Sequence, residues 1–229
     1  MVFWMDSLNL HAPSEVPGTR EALLEAGLFC FSERGFEGTS LRMVAERAGK
    51  HMSLIAHHFG NKEGLYLEVF KDMLGEYCPG QFTGPIIGLD QLQGDPVRAT
   101  ALLRDLIIRV FLGMRTTFES QDPKRLANFR LWQSAVRAPI PELEPLMRER
   151  LTPLRSQIAA CIQAIRPDLP AQELPFWCAL VYGQCVVNTM MHSFNQLVFG
   201  PACYPESPDQ MAEQIADITL RAIGRSETL

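Results

Sequence analysis

The sequence predicts an all-α chain: a three-helix helix-turn-helix head followed by a larger helical body. Three observations carry this. Apolar residues recur at helical spacing, and the alternation of a half-buried strand is weak throughout. Gly35 and Gly49 each close a short apolar period just before a new helix signal. The second half then reads as long helical runs separated by prolines at 123, 139, 141, 167, 170, 201, 205 and 208.

Taken in order, residues 1–18 form an arm whose Pro and Gly content marks it as loose. It has no positive n-region and no long apolar run, so no secretory signal is expected. Thr19 can cap a helix to about Arg34, with Leu23, Leu24, Gly27, Cys30 and Phe31 on one face. Gly35 is placed to stop it. Thr39 or Ser40 caps a second helix through Ala48, with Leu41, Val44, Ala45 and Ala48 on its apolar side, and Gly49 ends it. A third short helix runs to about His58, and Asn61 caps a linking helix that carries Leu65, Val69 and Phe70 as far as Gly75. Residues 78–96 are a Gly- and Pro-rich connection. Longer helices are expected over 97–118, 123–137, 142–165, 171–198 and 208–224; Pro145, Pro153 and Pro175 lie inside them as kinks or late starts. The chain divides into the arm (1–18), a helix-turn-helix domain (19–60), and the linking helix with the body (61–229).

Composition narrows the function classes. The net charge of −5 argues against coating nucleic acid or an anionic membrane with the whole surface, and leaves room for a local basic patch. Six cysteines without a C-x-x-C pair read as reduced, buried small hydrophobes of a cytoplasmic protein. Residues 174–204 lack any Asp, Glu, Lys or Arg. They hold Gln184, Asn188, Thr189, His192, Asn195 and Gln196, too many polar groups for lipid, so no membrane partner is expected. Without a G-x-S-x-G, Walker, Rossmann or H-E-x-x-H pattern, neither an enzyme nor a cofactor is expected.

The stretch LIAHHFGNKEGL, residues 54–65, sets two histidines side by side. Neighbours on a helix point about 100° apart, so His57 and His58 do not converge on a metal; none is expected. They can be solvated surface groups, or part of a recognition face. On the second reading Ile55 and Phe59 point inward with Met52 at the margin, while Ser53, Leu54, His57 and His58 face out. Across residues 39–62, Arg42, Arg47, Lys50 and Lys62 stand against Glu46 alone, the local excess a phosphate-contacting face needs. Lys62 begins a helix, where the macrodipole disfavours a cation. That fits a phosphate clamp, and a solvated lysine equally.

The run REALLEAGLFCFSERGFEGTSLRMVAERAG followed by HFGNKEGLY is similar, almost position by position over residues 20–66, to the DNA-binding head of TetR-family transcriptional regulators. HFGNKEGLY and the GQC of 183–185 look more like the CecR-type subgroup. The resemblance implies a homodimer joined through its last two long helices. It implies a body that binds a small-molecule effector, and repression at a double-stranded, inverted-repeat operator that the effector relieves. The residues assigned to DNA are Thr39, Arg42, Lys50, His51, Met52, Ser53, Leu54, His57, His58 and Lys62, with base readout at 51–54. Lys50 and His51 stand where the family has an apolar residue and a Ser or Thr cap. Ala56 and His57 stand where it often has a phosphate-contacting tyrosine. A relative that has lost sequence-specific DNA binding, and serves as a ligand-binding or protein-interaction module, is the alternative.

In the body, Gln184, Asn188, His192 and Asn195 recur at helical spacing as one polar stripe, either a pocket wall or a hydrogen-bonding network at an interface. Aromatic and methionine side chains such as Phe111, Met114, Phe129 and Trp132 either line a cavity or fill the core. The candidate ligand residues are Phe111, Met114, Trp132, Gln184, Asn188 and His192. Among Arg109, Arg115, Arg130 and Arg137, one facing inward would suggest an anionic ligand.

Overall fold

Side-chain caps and glycine stops set most of the helix boundaries of the head and the starts of the helices at Pro96 and Pro123. In the computed structural model, residues 18–77, 91–92 and 94–224 are described. The N-terminal arm and most of the 78–96 connection lie outside them. The described elements are α1 (Thr19–Gly38), α2 (Leu41–Ala48), α3 (Met52–Phe59), α4 (Lys62–Tyr77), α5 (Pro96–Phe118), α6 (Pro123–Arg137), α7 (Leu143–Ile165), α8 (Leu174–Met190), α9 (His192–Phe199) and α10 (Pro208–Gly224), with a 3-10 turn at Pro201–Cys203.

Thr19 is the first helical residue of α1, and Gly18 takes the cap position without a side-chain bond. The regular part of α1 breaks at Gly35, whose φ of 70° and ψ of −179° suit only glycine. Ser40 caps α2 through Met43 N, Asn61 caps α4 through Gly64 N, and Asp95 and Asp122 cap α5 and α6. Pro175 falls in the first turn of α8, so that helix starts at Leu174 rather than 171.

The expected single helix over 171–198 is two helices. It breaks at Met191, and α9 leaves α8 at 71°. The second limb is held by Tyr204: its ring stacks on His192 at 4.7 Å, and its hydroxyl accepts from Asn195 Nδ2 at 2.5 Å. The polar stripe therefore does not continue along one helix. Among the described residues no single helix is long and apolar enough to cross a membrane.

Two cores form. The first joins Leu23 and Phe31 of α1, Val44 of α2, Ile55 and Phe59 of α3, and Leu65 and Phe70 of α4. It does not stop at residue 60: Ala127 and Leu131 of α6 and Leu143 of α7 belong to it. The second joins α5, α7, α8 and α10 around Leu103, Ile107, Phe111, Ile162 and Ala212. Each large apolar side chain fully removed from water contributes roughly 1.5–3 kcal/mol. Cys30, Cys161, Cys178 and Cys185 are buried as expected, whereas Cys203 is exposed. Burial pushes the thiols of Cys161 and Cys185 up to about 11 and about 12, so both are chemically quiet.

Candidate nucleic-acid interface and body cleft

The turn between α2 and α3 is closed by Gly49, which adopts a left-handed conformation (φ 62°, ψ 33°). From it α3 emerges with Ile55 and Phe59 buried against α1 and α2, leaving the other side of a two-turn helix in solvent. His51, Ser53, His57 and His58 are exposed there, as is Met52 at 53%. Leu54 is half-buried and packs on the head core. The His57 and His58 rings meet edge to face, 5.1 Å apart. His51 caps α3: its Nδ1 accepts from Ser53 N at 3.3 Å and lies 2.8 Å from Ser53 Oγ.

Thr39 does not join this surface. It is only 2% exposed, and its hydroxyl is turned inward toward Cys30 O (3.0 Å) and Gly35 O (2.8 Å), tying the end of α1 to the start of α2. The basic residues are also more engaged than their count over 39–62 implies. Arg42 pairs with Glu46 at 2.8 Å, an exposed hydrogen bond that raises its pKa above the ordinary value. Arg47 pairs with Glu33 at 3.0 Å and covers the Phe29 ring. Lys62 sits over the Phe36 ring at 4.4 Å with its Nζ 3.4 Å from Glu37 O. Folding thus brings Glu33 and the Phe36–Glu37 turn to charges that the linear window left unopposed.

The body holds a small cleft between α4, α5, α6 and α8, a cavity of about 80 Å³ that is partly open to solvent. Met73 and Leu74 form its α4 wall. Met114, Phe129, Trp132, Tyr182 and Val186 supply most of the rest, and among the described residues no charged side chain lines it. The hydroxyls of Thr117 and Thr189, also in the wall, donate back to Gly113 O and Cys185 O of their own helices. Asn128 differs. It is 3% exposed, and neither Nδ2 nor Oδ1 has a protein partner, a state that costs about 1–3 kcal/mol per group.

Of the six candidate ligand residues, Met114 and Trp132 line this cleft. Phe111 does not, being fully buried in the second core. Gln184 is exposed on the outer side of α8, and Asn188 turns back to it, its Nδ2 donating to Gln184 O at 2.8 Å. His192 faces a separate depression together with Arg115, Tyr204 and Gln196. Arg115 is the arginine that faces inward, at 6% exposure, where it forms an ion pair with Glu119. Sequence reading missed Asn128, although a signal was there: it shares the apolar face of α6 with Ala127, Leu131 and Ala135.

Residues 23–69, from the second turn of α1 to the middle of α4, match the model of the bacterial regulatory proteins of the tetR family. Over those residues the chain matches the TetR family. Within that family it resembles the HTH-type transcriptional repressor AcnR of Corynebacterium glutamicum, at 35% identity over 65 residues, 28% of this chain and 35% of that one. It also resembles the HTH-type transcriptional dual regulator CecR of Shigella flexneri, at 28% identity over 148 residues, 63% of each chain. These matches span from about a third to just under two thirds of the relatives' own length. The fold is shared more widely. A transcriptional regulator from Rhodococcus sp. Rha1 aligns over 90% of this chain and 96% of its own, with TM-score 0.54 at 22% identity. AmtR of Mycobacterium smegmatis aligns over 94% and 91%, with TM-score 0.50 at 19% identity. In this TetR-family head, His51 takes the cap position where the family's usual residue is Ser or Thr, and the imidazole does the same work.

Proposed function

We propose that this TetR-family chain is a cytoplasmic, dimeric, DNA-binding transcriptional regulator. In this reading it is a repressor held on an inverted-repeat operator and released by a small molecule bound in the body cleft. The observation that carries the reading is α3. Its buried edge, Ile55 and Phe59, anchors it, and its opposite edge offers His51, Met52, Ser53, His57 and His58 to a major groove. Lys50 beside the turn, with Arg42, Arg47 and Lys62, supplies phosphate contacts that form as the present partners are exchanged.

One head reads a half-site, so two copies must present α3 about 34–36 Å apart. An exposed apolar stripe supports such a dimer. Phe176 (65% exposed), Leu180, Val187 and Met191 follow one line along α8, with Gln184 in their midst, and Ile218 continues it on the adjacent α10. The released signal would travel through α4: Met73 and Leu74 wall the cleft, and Leu65 and Val69 press on α1 at Gly27.

The second reading, a module that has lost sequence-specific DNA binding, draws on the carboxylates already holding Arg42 and Arg47. Selection of duplexes from a random pool by the purified chain, with affinities at two salt concentrations, decides between them. An enriched inverted repeat whose affinity falls steeply with salt supports the regulator. Absence of enrichment, with weak and sequence-blind binding, overturns it in favour of the module.

A further inference from the structure

We infer that the body cleft takes an uncharged, mainly apolar ligand carrying one carboxamide-type group, an amide or lactam, which pairs with Asn128. The inference rests on the proposal that this cleft is the ligand site, and it names the ligand's chemistry. Three observations lead to it. The walls of Met114, Phe129, Trp132 and Val186 are mainly apolar, with rings that suit a flat or aliphatic body, and Tyr182 adds a ring that bears one hydroxyl. Among the described residues no side chain lining the cleft is charged; the inward arginine, Arg115, lines the separate depression near His192. A carboxylate or ammonium entering here would give up its water without a counter-charge. Finally, Asn128 holds a buried donor and a buried acceptor side by side, both without a protein partner, while the threonines of the wall are satisfied within their helices. A carboxamide presents the complementary acceptor and donor on one edge and satisfies both atoms at once. An ester or ether satisfies only Nδ2. An ionised acid leaves Oδ1 facing negative charge.

The test uses the full chain and three probes on one skeleton: 4-phenylbutanamide, methyl 4-phenylbutanoate and 4-phenylbutanoate. Each is titrated to low millimolar concentration while the side-chain amide resonance of Asn128 is followed. The amide should bind several-fold tighter than the ester and roughly tenfold or more tighter than the carboxylate, and should move the Asn128 resonance. Asn128→Leu, or Asn128→Ala should the larger side chain prevent folding, should erase the preference of amide over ester. The inference is overturned by a carboxylate that binds as well as the amide, by no binding of any probe, by binding that leaves Asn128 unmoved, or by a preference that survives both substitutions. DNA binding without probes is measured separately. If it is absent while the probe ranking holds, the ligand class stands and the regulator reading falls.

Discussion

His51 Nδ1 lies 3.3 Å from the backbone N of Ser53, so a histidine caps the helix that faces outward from the head. The cap satisfies one of the N–H groups left without a partner at the start of α3. His51→Ala should destabilise the head by about 0.5–2 kcal/mol, whereas His51→Asn, itself a good cap, should stay near the parent. Urea denaturation of the full chain measures both. Equal losses in the two variants would mean that the ring does something other than capping. If α3 reads bases, His51→Asn should shift DNA preference while leaving stability in place.

Gly35 occupies a backbone conformation that side chains with a Cβ avoid, and it faces α6. An added Cβ would sit 3.3 Å from Ser134 Oγ. Gly35→Ala should cost on the order of 1–3 kcal/mol, visible as a lower midpoint of thermal unfolding. Ser134→Ala in the same background should recover little, because the strain lies in φ and ψ rather than in the contact. A large recovery would assign the cost to crowding instead.

His192 should make stability depend on pH on the acid side of neutrality. Burial, and then the positive charge of Arg115, hold its pKa below the ordinary value near 6.5, against a smaller upward pull from Glu119. The unfolded chain therefore binds this proton more readily than the folded one. The contribution is fully present above the unfolded pKa and is lost as pH falls through that value toward the folded one. Unfolding midpoints measured between pH 7.5 and about 5 should fall more for the parent than for His192→Gln. Parallel curves would remove His192 as the cause.

The stripe on α8 makes a prediction about assembly. Phe176→Glu with Leu180→Glu sets two carboxylates on a face that is already exposed in the single chain, so the fold should persist. Sedimentation should then shift from a dimer of the 25.7 kDa chain to the monomer. A double variant that remains dimeric would move the interface elsewhere. Loss of helical signal would show that the stripe supports the fold itself.

Much of this could be read along the chain. The caps at Ser40 and Asn61, the stops at Gly35 and Gly49, and the inward pair Ile55 and Phe59 are local events, decided by residues within a turn or two of each other. The cleft was legible only in part. Met114 and Trp132 stood out by size, while Asn128 was passed over because an asparagine in a helix is usually solvated. The break at Met191 had no local mark, neither glycine nor proline, because Tyr204 holds it from beyond the next turn.

By itself the sequence determined most of the helices, though not the break at Met191, together with the buried face of the head and the family that residues 23–69 match. Periodicity and capping depend on neighbours in the chain, and those are written in order. Tertiary structure alone decided which buried faces meet. It brought α6 onto α1, turned Thr39 inward, set Glu33 against Arg47 and left Asn128 facing a cleft without a partner. A helical period states that a face is buried, but what lies opposite depends on how distant helices pack, and that fixes whether a polar group there is satisfied or open to a ligand.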